Sequence, residues 1–258
     1  MTDTPWILLR GLMRDRRHWG DFPARFQAQF PGARLLMPDL PGNGLRNQET
    51  SPARVEAMAE HFRQELRRQG IAPPYRLFAM SLGAMVAVAW SSAHPEEIES
   101  CVLVNTSLRP ISPFHHRLRP VAYPLLLRLA LGRPSPRAAE QAVLDLTSRH
   151  GERTGAVLDD WSAWRQSHPV SRANGLRQLG AAIRFRAPAS APAVPLLLLN
   201  GAGDRLVSPR CSQALARLWQ APLRVHPGAG HDLSLDDADW VVRQISDWER
   251  QRAEKQNA

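Results

Sequence analysis

Lysine is almost missing from this chain. Of 33 basic residues only Lys255 is a lysine, so the rest are arginine. That excludes Schiff-base chemistry, which needs a buried lysine on an ordered element, because Lys255 stands in the last four residues. No Gly-Lys-Ser/Thr stretch occurs, so no phosphate-binding P-loop is expected. Cysteine is scarce too. Cys101 and Cys211 make neither a disulfide framework nor a zinc ligand set, and both read as small buried filler. The adjacent pair His115-His116 has no acidic or thiol partner, which makes it poor evidence for metal; neither metal nor cofactor is expected. No apolar run approaches the ~20 residues that cross a bilayer. Met1–Trp6 shows no basic segment leading into an apolar one, so no secretory signal is visible and a cytoplasmic location is the expectation.

Apolar residues are plentiful. They make up 43% of the 258 residues, against 22% charged, which is enough to offset the entropy of ordering the chain. The length suits one large α/β domain or one domain with an insert. Strand-like runs alternate with helical stripes. Strands are expected at Trp6–Arg10, Arg34–Met37, Tyr75–Met80, Ser100–Asn105, Pro195–Asn200 and Leu223–His226. Helices are expected at Phe22–Phe30, from Ser51-Pro52 to Gly70, at Leu82–Ala93, Pro209–Trp219 and Ala238–Gln251. Ser51 is the expected N-cap of the second, with Pro52 at its first position. The unbroken run Pro195–Asn200 suits a central strand covered on both faces. The fold class is therefore α/β, a mostly parallel sheet of about six strands flanked by helices.

Between 107 and 194 no strand-like run appears. Helical stripes do, at Val157, Trp161 and Trp164, and at Leu176, Leu179 and Ile183. This segment holds 13 arginines and five acids, nearly the whole excess of the chain's net charge of +9. It reads as a helical cap inserted between two strands, which divides the chain into core 1–106, cap 107–194 and core 195–258.

The most informative stretch is Tyr75–Ala84. An apolar strand runs into Ser81 and an apolar helix begins at once. A serine on so tight a turn is held in a strained backbone, and small residues two before and two after it, Ala79 and Gly83, prevent clashes. The hydroxyl then stands above the sheet at the positive end of a helix, with the N–H of Leu82 aimed at a bound acyl oxygen. A serine nucleophile needs a base, and the base an orienting acid. Asp204 lies in the loop after Pro195–Asn200, and His231 in Pro-Gly-Ala-Gly-His-Asp after the last strand. Both loops leave the same edge of the sheet as Ser81, where sites form. Asp232 adjoins His231, but neighbours in sequence usually point apart. Asp39 reads as a turn residue capping the backbone that follows it.

Ala-x-Ser-x-Gly, followed by Asp204 and then His231, resembles the nucleophile elbow and triad order of the α/β-hydrolase family. Asp-Leu-Pro-Gly-Asn-Gly at 39–44 and His18-Trp19 add to the resemblance, which covers Trp6–Asn105 and Pro195–Gln251. It implies that Leu12, after the first strand, supplies the second oxyanion N–H beside Leu82, and that Arg10 stands where such proteins usually carry histidine. Gly11 is expected where the backbone must bend close to substrate. Arg10, Gly11 and Met80 are candidates for substrate contact.

These residues imply a serine hydrolase acting on a small carboxylic ester or thioester through an acyl-enzyme. Two rivals stay open: non-hydrolytic or carbon–carbon bond chemistry on the same scaffold, and a catalytically silent ligand receptor. The arginine excess, including Arg14, Arg16 and Arg17, fits either a solvated face or attraction of an anionic substrate. No nucleic-acid motif accompanies it. Oligomeric state is left open.

Overall fold

The computed structural model describes residues 4–132, 134–149 and 154–256. Arg133, Glu152 and Arg153, counted above in the insert's charge, lie outside the described residues. Six strands form one sheet: β1 (Trp6–Leu9), β2 (Leu35–Leu36), β3 (Tyr75–Met80), β4 (Ile98–Val104), β5 (Leu196–Gly201) and β6 (Leu223–His226). Their order is β2-β1-β3-β4-β5-β6, and every pairing is parallel. The chain moves outward from β1 to β2 and then returns past β1 to β3. This reversal opens a crevice at the carboxyl ends of β1 and β3, where open α/β sheets bind ligands.

The two faces of the sheet can be followed along each strand. Ile7, Leu9, Leu77, Ala79, Leu196 and Leu198 face a cluster with α2 (Val55–Arg68), α3 (Leu82–Ala93) and α9 (Pro209–Trp219). The alternate residues Trp6, Leu8, Phe78, Met80, Leu197 and Leu199 face α1 (Phe22–Gln29) and α11 (Ala238–Gln256). Both sets are buried because helices cover both faces, which is why β5 reads as an unbroken leucine run. β2 is shorter than the expected Arg34–Met37; it is an edge strand paired only with β1. α3 is apolar nearly all round and buried along most of its length, as a helix packed between sheet and α2 must be.

The second expected helix starts later than its sequence suggested. α2 begins at Val55 with Arg54 at the N-cap. Ser51 does not cap it: its hydroxyl donates to the Pro41 carbonyl at 2.6 Å and its N–H to Asn174 Oδ1 at 2.9 Å. A long-range partner has taken the serine that local pattern assigned to a cap.

Between β4 and β5 the described residues form the helices α4 (Phe114–Arg117), α5 (Tyr123–Leu131), α6 (Pro136–Thr147), α7 (Thr154–Ser167) and α8 (Arg172–Arg184). One parallel bridge between Arg109 and Arg186 brings the ends of the insert together. Trp161 and Leu158 pack with Leu144 of α6, and Val157 and Trp164 lie against them. The other expected stripe is overturned. Leu176 and Ile183 are exposed, and the buried face of α8 is Asn174, Gly175, Gln178 and Ala181. Asn174 and Gln178 on that face bond loop groups around Met13, Asn43 and Ser51, while Ala181 packs into the core.

Candidate active site

Ser81 sits between β3 and α3 with φ 55° and ψ −115°. A non-glycine residue in this region is strained and needs its surroundings to hold it. Four hydrogen bonds do so. Its N–H donates to the Val104 carbonyl at 2.9 Å, and its own carbonyl accepts from Ala84 N, Met85 N and Thr106 Oγ1. The start of α3 lies directly on the end of β1: a Cβ on Gly83 would run into the Leu9 and Arg10 carbonyls. Gly11 faces the serine, since a Cβ there would lie 3.2 Å from Ser81 Cβ and 3.7 Å from its Oγ. Met80 points the other way, with its side chain buried in the cluster against α1 and α11.

Across the edge, His231 Nδ1–H donates to Asp204 Oδ2 at 2.7 Å. Asp204 is fully buried. Its other oxygen accepts the N–H groups of Leu206 and Val207 at 2.8 and 2.9 Å, so the carboxylate is fixed and satisfied. With the Nδ1 proton held there, neutral His231 leaves Nε2 as a lone-pair acceptor. Burial pushes the His231 pKa down, but the charge and hydrogen bond of Asp204, and then the charge of Asp232, outweigh it, and the net shift is upward. The loops after β5 and β6 meet backbone to backbone. Gly203 N–H donates to the Ala229 carbonyl at 2.9 Å, and a Cβ on Gly201 would strike the Ala229 and Gly230 carbonyls.

The loop after β1 turns tightly. Met13 has φ 57°, and Arg14 N–H donates to the Gly11 carbonyl at 3.3 Å. Gln178 of α8 accepts the Met13 N–H at 2.9 Å. Among the described residues no acceptor lies on the Leu12 N–H, and Leu82, first in its helix, has no intrahelical partner for its own. A small recess adjoins this loop and is lined by Gly11, Arg14, Leu40, Phe62, Leu82 and Val86.

The sequence of this chain matches the model of the alpha/beta hydrolase family over residues 6–244. The chain belongs to the alpha/beta hydrolase family. Among similar proteins, the "Putative carbamate hydrolase RutD" of Klebsiella pneumoniae (strain 342) is 29% identical over 91% of this chain and 89% of its own length. The pimeloyl-[acyl-carrier protein] methyl ester esterase of Aromatoleum aromaticum is 27% identical over 83% of this chain and 88% of its own. The enol-lactonase from Burkholderia xenovorans LB400 superimposes with a TM-score of 0.76 at 22% identity, covering 96% of this chain and 92% of that one.

Within this alpha/beta hydrolase the arginine cluster is largely paired. Arg10 donates to Asp232, Arg14 to Glu140 of α6 at 2.7 Å, and Arg17 to Asp15 at 2.8 Å. Glu140 also takes Arg165 at 2.5 Å, and the Arg14 guanidinium lies 4.2 Å from the Trp161 ring centroid. Arg10, a candidate for substrate contact, thus has its charge turned onto Asp232. Asp39 holds the Arg16 N–H at 2.7 Å rather than the backbone that follows it. The sequence carries no sign of three contributors, Asn105, Gln178 and Asp236, and a fourth, Asp232, is named in its reading only to be set aside. Asn105 bonds the Gly230 and His231 carbonyls, and Asp236 accepts the Gly230 N–H at 2.6 Å. The one signal available beforehand was Arg10, a cation in an apolar loop that called for a carboxylate.

Proposed function

We propose that this alpha/beta hydrolase cleaves a small carboxylic ester, with a thioester as the close variant, through Ser81, His231 and Asp204. The observation that carries the reading is the buried Asp204–His231 hydrogen bond at the sheet edge where Ser81 is held in a strained turn. His231 Nε2 takes the Ser81 proton as Oγ bonds to the substrate carbonyl carbon. The N–H groups of Leu82 and Leu12 donate to the oxygen as it gains charge. The tetrahedral adduct collapses, His231 returns the proton to the departing alcohol or thiol, and an acyl-serine remains. A water then gives its proton to His231, attacks the acyl carbon and frees the acid, with the proton returning to Ser81. Asp204 fixes the imidazole tautomer and stabilises the imidazolium. Residues 107–194 act as a cap over this site, tied to it through Gln178 and Glu140.

The esterase and lactonase names of the similar proteins support ester chemistry. The paired state of Arg10, Arg14 and Arg17 favours an uncharged substrate over an anionic one. A panel of p-nitrophenyl esters and acyl-CoA thioesters tests the proposal. Turnover of one of them, lost by at least about 10⁴-fold in Ser81→Ala, is the expected result. No turnover of either class, or turnover unaffected by that change, overturns it.

A further inference from the structure

Arg10 ends the stretch that leads from β1 into the Gly11-Leu12 loop, and Asp232 directly follows His231. Their side chains meet across 222 residues of sequence. Arg10 Nη1 donates to Asp232 Oδ1 at 3.2 Å and Nη2 to Oδ2 at 2.6 Å. The side chains are only 5% and 6% exposed. Neighbouring groups hold both ends of the pair, although Arg10 Nε is buried with no hydrogen-bond partner among the described residues. The guanidinium lies 4.6 Å from the centroid of the buried Trp19 ring. Ser234 Oγ donates to Asp232 Oδ1 at 3.1 Å, and Asp232 N–H donates to the Thr147 carbonyl at 2.8 Å.

A buried ion pair is a poor source of net stability, because taking both charges out of water offsets most of their attraction. Two-point contact between two planar groups does give a fixed distance and a fixed angle. Here the parts so fixed are the loop bearing Gly11 and Leu12 and the loop bearing His231. We propose that the Arg10–Asp232 pair is a positioning clamp that sets His231 against the oxyanion loop, and so sets the approach of its imidazole to Ser81. The proposal rests on the reading of Ser81 and His231 given above.

Neither residue handles a reacting atom, but the two place opposite charges beside His231. Asp232 raises its pKa and Arg10 lowers it. The other charged groups facing this loop keep their places in the variants below. Asp204 holds the ring, Asp236 accepts from Gly230 N–H, Arg149 packs at Gly230, Arg119 donates to the Asp204 carbonyl, and Arg14 acts on Asp232.

The test uses Arg10→Met, Asp232→Asn and the double variant. Three quantities are measured: the rate of modification by a fluorophosphonate, the pH profile of ester kcat/KM, and the melting temperature. Each single variant should lose at least about tenfold in kcat and in modification rate, with KM within about threefold of the parent. The acid limb of kcat/KM should move down in Asp232→Asn and up in Arg10→Met. A smaller folded fraction scales amplitude and cannot move that midpoint in opposite directions. The double variant leaves no unpaired buried charge, so it should melt near the parent while keeping the loss in kcat; it decides the matter if a single variant fails to fold. A double variant with parental kcat overturns the clamp, as do single variants that keep the parental kcat and modification rate. A parent chain that the fluorophosphonate does not modify overturns the reading of Ser81 and takes the clamp with it, a distinct result.

Discussion

Asn105 turns the backbone into the left-handed region with φ 46° at the end of β4, a conformation asparagine tolerates better than most residues. Its amide nitrogen donates to the Gly230 and His231 carbonyls at 3.0 and 2.7 Å, and its oxygen accepts from Asn200 Nδ2 and Gly201 N–H. All four partners are buried. Asn105→Ala leaves them unsatisfied and should cost about 3 kcal/mol or more, read as a lower denaturation midpoint; a change within about 0.5 kcal/mol would show that water replaces the amide. His231 gives a second expectation. In the proposed mechanism it must be neutral at Nε2 to accept the serine proton, and its folded-state pKa is raised. Activity should therefore fall as pH drops through a midpoint above the ordinary histidine value of about 6.5. Replacing Asp204 by Asn removes the largest raising influence and should move the midpoint of any remaining activity downward. An upward move would contradict the role given to that carboxylate.

At the scale of elements, α8 links the insert to the loop after β1, the proposed oxyanion loop. Gln178 is fully buried. Its oxygen accepts from Met13 N–H, and its nitrogen donates to Asn43 Oδ1 and Ser51 Oγ. Gln178→Ala should free the Met13 turn and lower kcat by about tenfold or more with KM less affected, since the Leu12 N–H would lose its fixed aim. A purely KM effect in steady-state kinetics would place Gln178 in substrate binding instead. Elements are also where sequence reading did best and worst. β3 and α3 match their expected bounds because an apolar strand, a serine and an apolar helix leave one solution. The apolar stripe of α8 points the wrong way, because Leu176 and Ile183 are exposed, Leu179 is half-buried, and the helix's long-range contacts are amides reaching distant loops. Periodicity detects apolar burial and is blind to such polar contacts.

For the whole molecule, the parallel sheet was legible because each central strand is apolar on both faces, and the placement of Ser81, Asp204 and His231 followed from strand ends. The loops that hold them were not, since Arg10–Asp232, Asn105–His231 and Gln178–Met13 each join residues more than a hundred apart. The charge balance leaves both of its readings open, and Arg16 is exposed. A net +9 suggests steering of anions, yet Arg10, Arg14 and Arg17 each have a carboxylate partner near the oxyanion loop. Raising salt to ~0.5 M should change kcat/KM for an anionic ester by less than about threefold; a fall of tenfold would reinstate steering. The central claim is that the hydroxyl at the β3–α3 turn is the nucleophile. Peptide mapping by mass spectrometry after fluorophosphonate treatment tests it most directly. A single adduct on Ser81, absent from Ser81→Ala and from denatured protein, is the predicted result; an adduct on any other residue, or one that survives Ser81→Ala, would contradict it.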